Sequence, residues 1–189
     1  MLDAMTGNWW ATALRGGATV LFGLLALVTP GLTLDGLVSL FGAYALLDGT
    51  VALFLGWRAR AAGADARELL VGAVTSVAIG LVTLLWADVN AFELLLLVGV
   101  RALVAGLAEG IAALRGRREG PADRLTVVVP AVAAAFGLLF LVIPATGADT
   151  VLWWIALYGF AVGALHLALG LRLRGAAHGD SDARGLSAA

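Results

Sequence analysis

Residues 10–60 read WATALRGGATVLFGLLALVTPGLTLDGLVSLFGAYALLDGTVALFLGWRAR. Two apolar runs flank a turn at Thr29, Pro30 and Gly31, and the second run ends on Arg58 and Arg60. Crossing about 30 Å of hydrocarbon takes roughly 20 apolar residues in a helix. Lipid offers no partners for exposed backbone groups, so such a run must be helical. The stretch therefore reads as a membrane hairpin: a helix out, a tight turn, a helix back and a basic exit.

Working outward, a shift of 57 residues (Phe22 to Ile79 to Phe136) realigns the punctuation twice. Phe22, Gly23 and Leu24 fall on Ile79, Gly80 and Leu81, then on Phe136, Gly137 and Leu138. Pro30 falls on Ala87 and Pro144, Gly49 on Gly106 and Gly163, and Arg58 on Arg115 and Arg172. Self-similarity at a fixed period marks repeat architecture. The expected fold is an all-α integral membrane protein of six transmembrane helices, three tandem parallel hairpins in a pseudo-threefold bundle. Spans are placed at 10–28, 34–56, 69–86, 91–114, 125–143 and 150–171, with repeats at about 8–60, 65–117 and 122–174 of a single domain, 1–174. Residues 175–189 are polar and Gly-rich, and read as a disordered cytoplasmic tail.

Composition agrees. Of 189 residues, 61% are hydrophobic and 13% charged, with mean hydropathy +0.98, whereas a soluble domain is about half apolar and a quarter charged. The N-terminus has no basic region before its apolar run and does not read as a cleaved leader. There is no Cys, and His166 and His178 stand apart, so thiol chemistry is excluded and neither a metal site nor any cofactor is expected. Arg58, Arg60, Arg67, Arg115, Arg117, Arg118, Arg124, Arg172, Arg174 and Arg184 all fall on the side of the two longer loops and the tail. By the positive-inside rule both termini are cytoplasmic. The expected partners are the bilayer and anionic lipid at those arginines, with no nucleic acid; oligomeric state is not legible.

Small residues recur every seven positions, as in Gly42, Gly49 and Gly56 or Gly99, Gly106 and Ala113. They predict seams where helix backbones approach closely. Trp10, Trp57, Trp86, Trp153 and Trp154 sit near span ends, where aromatic belts form; Trp153 and Trp154 are also candidates to line a substrate. The acids Asp35, Asp88, Glu93 and Asp149 face the outer side and read as loop solvation or as sensors of external pH.

Five ionisable residues interrupt the apolar runs: Arg15, Asp48, Arg101, Glu109 and His166. An ionised residue at the bilayer centre costs about 2.5–3.5 kcal/mol on insertion scales, so each needs a partner or water. Counting about 1.5 Å per residue from the cytoplasmic arginines puts Glu109 and His166 about 9 Å deep, Asp48 about 15 Å and Arg101 about 21 Å. Arg15 lies at the depth of Glu109. Two pairings follow: Arg15 with Glu109, joined by His166, and Asp48 with Arg101. Tyr44, four residues before Asp48 on one helix face, is placed to join the second pair. Tyr158 occupies the position of Tyr44 in the third repeat. These residues read either as ion pairs fixing helix register, or as a polar cavity that exchanges protons or binds a small molecule. An unpaired carboxylate in low dielectric titrates higher than in water, which would bring Asp48 and Glu109 toward the mildly acidic range.

The run Arg15-Gly16-Gly17, Leu21-Phe22-Gly23-Leu24, the Pro30 turn and Leu40-Phe41-Gly42-Ala43-Tyr44-Ala45-Leu46-Leu47-Asp48-Gly49 resembles the HdeD acid-resistance membrane family. The later repeats depart from it, with Arg101 for the tyrosine and Ala105 and Val162 for the aspartate. The resemblance implies a protein of the bacterial inner membrane linked to survival in acid, with no established catalytic residues; the reading adopted is a non-enzymatic role in acid or envelope stress resistance. Left open beside it are a small conduit or transporter for protons or small molecules, and an intramembrane enzyme acting on a lipid or isoprenoid with Asp48 or Glu109 as proton donor.

Overall fold

A computed structural model describes residues 9–28, 33–63, 65–86, 88–116, 124–142 and 148–187. The chain is all-helical there: α1 Trp9–Val28, α2 Leu34–Ala61, α3 Arg67–Leu85, α4 Ala91–Gly116, α5 Leu125–Val142 and α6 Ala148–Ser187. Each contains a stretch long and apolar enough to cross a membrane. The expected Pro30 and Pro144 turns, Arg117, Arg118 and the side chains of Asp149, His178 and Arg184 lie outside the described residues. The last helix runs from Ala148 to Ser187.

Local signals set several helix ends. The Thr33 hydroxyl accepts from Gly36 N–H at 3.2 Å as the N-cap of α2. Before α4, Asn90 and Glu93 form a reciprocal capping box, each side chain accepting the other's backbone N–H at 2.9 Å. Glu93, expected as an outward acid, is thus engaged in holding a helix end. Asp88 takes a left-handed backbone with φ 58°, which Asp tolerates better than most residues. Gly63 ends α2 with φ 82°.

Packing divides the helices into two kinds. The apolar 18-residue stretches of α2, α4 and α6 are half buried, those of α1, α3 and α5 a third or less. The tightest packing is α1 on α6, α2 on α3 and α4 on α5, so each returning helix grips the outgoing helix of the next hairpin, not its own. Small residues make this possible. A Cβ at Gly49 would lie 2.7 Å from the Val77 nitrogen, at Gly106 2.5 Å from that of Ala134, and at Gly163 2.7 Å from that of Val20. These crossings repeat 57 residues apart, the third returning to the start of the chain. The expected seams are therefore found, between hairpins rather than within them.

One stripe of each inner helix faces the core, the positions recurring three or four apart. At the N-terminal ends of these helices it is apolar: Leu37, Leu94 and Val151, then Phe41, Val98 and Ile155, all 2% exposed or less and all in one core cluster. One and two turns further on, toward the arginine-rich end, the same stripe becomes polar. Trp57, Trp86 and Trp153 remain well exposed near span ends, while Trp154 is partly buried with its ring 6.4 Å from that of Phe140.

Candidate functional site

The polar part of the stripe has three levels. Tyr44, Arg101 and Tyr158 form the first, Asp48, Ala105 and Val162 the second, and Ala52, Glu109 and His166 the third. Arg15 and Thr19 enter from α1. Arg15, Tyr44, Asp48, Arg101, Glu109, Tyr158 and His166 converge here, whereas Trp153 and Trp154 do not line this space.

Arg101 donates from Nη2 to Asp48 Oδ2 at 2.6 Å, and both are buried. Arg15 binds Glu109 through Nη1, and its Nε lies 2.9 Å from Asp48 Oδ1. His166 Nε2 faces Glu109 Oε2 at 3.4 Å. The two expected pairs are thus one chain: His166, Glu109, Arg15, Asp48, Arg101. The Arg15–Asp48 link joining them was not expected. Counting by depth set these two levels about 6 Å apart, but Arg15 is long enough to serve both carboxylates.

Tyr44 joins the Asp48–Arg101 pair through its ring rather than its hydroxyl. Its hydroxyl pairs with Thr19 Oγ1 at 2.8 Å, and its ring lies 4.7 Å from Arg101 Cζ in a cation–π contact. The same ring stacks on Phe22, centroids 4.7 Å apart and planes 10° from parallel. Thr19 also donates to the Arg15 carbonyl at 2.8 Å. The sequence reading passed over Thr19. Its place four residues after Arg15, at the repeat position of the buried Ser76, was the available signal.

These groups surround a cavity of about 10 Å³, close to the minimum that admits one water. Its polar lining is Arg15, Thr19, Tyr44, Arg101, Glu109, Tyr158 and His166, completed by Ala105, Gly106, Ala133 and Val162. The Nε of Arg101 is buried without an acceptor among the described residues. The side chains of Arg15 and Glu109 are 23% and 25% exposed, against 4% for Asp48 and 2% for Arg101. Access therefore lies toward the Glu109 level, and the far side ends on the apolar layers of Phe41, Val98 and Ile155.

The imidazole fixes where a proton is held. His166 Nδ1 lies 2.9 Å from the Val162 carbonyl, which can only accept, so Nδ1 carries hydrogen. In a neutral ring Nε2 would then present a lone pair to a carboxylate oxygen. A proton between Nε2 and Oε2 turns that repulsion into a charge-assisted hydrogen bond. With it the network carries two guanidinium charges, two carboxylates and one further proton.

At the arginine-rich end, Arg115 binds Glu68 and approaches Asp65 at 4.0 Å. Arg174 Cζ lies 5.0 Å from the Trp9 ring centroid.

A family model described as a short repeat of unknown function (DUF308) matches residues 14–78 and 71–142, well over half of the chain. No curated protein and no solved structure matches.

Proposed function

The chain belongs to the DUF308 short-repeat family, and on that premise we propose that it is a proton-binding, non-enzymatic membrane protein of the HdeD type, serving acid or envelope stress resistance. The observation that carries this reading is the His166–Glu109 contact at 3.4 Å, where a proton can be shared, tied through Arg15 to the buried Asp48–Arg101 pair. Acid adds a proton there. Further protonation of a carboxylate would leave a buried guanidinium without its counter-charge, a loss that costs about 3–5 kcal/mol in buried pairs. Such a cost is enough to shift the packing between helices.

The two matched segments support tandem hairpins. A third hairpin, with pseudo-threefold symmetry, is supported by the same small-residue crossing between α6 and α1 as between α2 and α3 or α4 and α5. Arginines gathered at one end support an inner-membrane orientation with both termini cytoplasmic, and the site then opens toward the cytoplasm. Anionic lipid contact falls to the arginines of that end. A through-going conduit has less support, because two apolar layers close the axis beyond Arg101. A lipid or isoprenoid substrate has less support again, because the cavity holds about one water.

The test is acid survival of cells carrying Asp48→Asn, with membrane levels of the protein measured alongside, and proton uptake by the purified protein on going from about pH 7 to about pH 5. Impaired survival with normal insertion, and uptake lost in a Glu109→Gln, His166→Gln double variant, are expected. Wild-type survival from a stably inserted Asp48→Asn protein would end this reading.

A further inference from the structure

The donors around the cavity outnumber its acceptors. Arg101 offers a buried Nε–H with no acceptor among the described residues. Tyr158 lines the same space with a hydroxyl, whereas the hydroxyl hydrogens of Thr19 and Tyr44 go to the Arg15 carbonyl and to Thr19, and the His166 ring nitrogens face Val162 and Glu109. The acceptor side is supplied by Glu109 and by Asp48, both already engaged. Charge follows the same pattern. With the His166–Glu109 proton absent, two guanidinium groups balance two carboxylates. With it present, the site carries one net positive charge in a region where an uncompensated charge is costly.

From the cavity and its orphan donor we propose that this site takes one small monovalent anion, of halide size, together with the proton. The anion sits beside Arg101 Nε and Tyr158, accepts their hydrogens and restores neutrality. The charged and titratable groups lining its cavity are Arg15 from α1, Tyr44 from α2, Arg101 and Glu109 from α4, and Tyr158 and His166 from α6, with Asp48 held behind Arg15 and Arg101. Linkage makes the effect reciprocal: the proton raises halide affinity and halide raises proton affinity by the same factor. A cavity close to one water in size favours halide over sulfate or phosphate. The inference rests on the proton-binding reading for its pH dependence, but not for the existence of the site.

The deciding measurement is binding of radiolabelled chloride to the purified full-length protein in detergent, with bromide and sulfate as competitors. Glu109→Gln removes one negative charge permanently and mimics the protonated site. Deleting a unit charge this close should raise affinity by roughly tenfold or more, so this variant is expected to bind chloride at about pH 7, displaced by bromide and not by sulfate, while the wild type binds at about pH 5 and weakly at about pH 7. Glu109→Gln, Tyr158→Phe should bind several-fold more weakly. No chloride binding by folded Glu109→Gln at either pH overturns the site. If that variant does not fold, wild-type crystals grown in bromide at about pH 5 decide the matter: anomalous signal beside Arg101 supports the site and its absence overturns it. Binding by Glu109→Gln with no acid-dependent gain in the wild type keeps the anion site and instead removes the proton-binding reading.

Discussion

Arg15 Nε on α1 lies 2.9 Å from Asp48 Oδ1 on α2, and through this contact two separate ion pairs become one network. Arg15 also binds Glu109 on α4, so a single guanidinium ties three helices. Because α1 packs weakly on its own hairpin partner α2 and tightly on α6, this polar tie is a main link between the two helices of the first hairpin.

Replacing Arg15 is therefore expected to cost more than a surface pair would. Arg15→Gln leaves Glu109 with His166 alone and Asp48 with Arg101 alone; breaking one partner from a fully buried pair costs about 3–5 kcal/mol, and the part-exposed Arg15–Glu109 contact should lose less. Arg15→Gln, Glu109→Gln should recover part of that loss. Thermal unfolding of the purified protein in detergent, read as a double-mutant cycle, measures the coupling. Additive losses would show that the contact contributes nothing to stability.

How much of this was legible in the residues depends on geometry. The six helices, the seams and the two expected pairs follow from apolar run length, the 57-residue shift (Arg58 to Arg115 to Arg172) and matched depth. The Arg15–Asp48 link was missed because depth was counted along single helices, whereas a long side chain spans about a helical turn. The i,i+4 spacing brings Tyr44 to the Asp48–Arg101 pair but does not tell which part of it makes contact: the ring packs on Phe22 and Arg101, and the hydroxyl turns to Thr19. Which helices grip each other was also hidden, since glycine spacing marks a close approach without naming the partner.

The glycine crossings can be tested one residue at a time. A Cβ at Gly106 would meet the Ala134 nitrogen at 2.5 Å and the Pro130 carbonyl at 2.7 Å. Both are backbone, so a helix must move. Gly106→Ala is expected to destabilise by about 1–3 kcal/mol as an overpacked site. Gly17 provides the control, since a Cβ added there would meet nothing within 4 Å. At that position alanine should stabilise α1 by up to about 1 kcal/mol through helix propensity. Thermal midpoints in detergent distinguish the two, and equal shifts would contradict the crossing.

Thr19→Val removes the partner of the Tyr44 hydroxyl without changing side-chain volume much. A buried hydroxyl left unsatisfied costs about 1–3 kcal/mol, so the variant should unfold earlier, and Thr19→Ser should retain most of the wild-type midpoint. Thr19→Val, Tyr44→Phe should be milder than the sum of its parts, since neither group is then stranded.

The apolar layers beyond Arg101 make the site one-sided, and the chain's lack of cysteine allows this to be probed directly. Single cysteines at Ala105 and Val162 border the cavity, whereas cysteines at Val98 and Ile155 sit in the sealed layer, each 1% exposed or less as the native residue. Silver ion is small and reacts with thiols. Added to vesicles of defined orientation, it should modify Ala105→Cys and Val162→Cys faster from the arginine-rich side than from the other, and should leave Val98→Cys and Ile155→Cys unmodified from either. Equal rates from both sides at Ala105→Cys, or ready modification at Val98→Cys, would mean that the axis is open, and a conduit would then be the better account of the charged core. The layer itself can be weakened. Phe41→Ala deletes the largest side chain of the seal, and in the sealed protein it should cost about 3–5 kcal/mol while letting silver reach Ala105→Cys from the outer side.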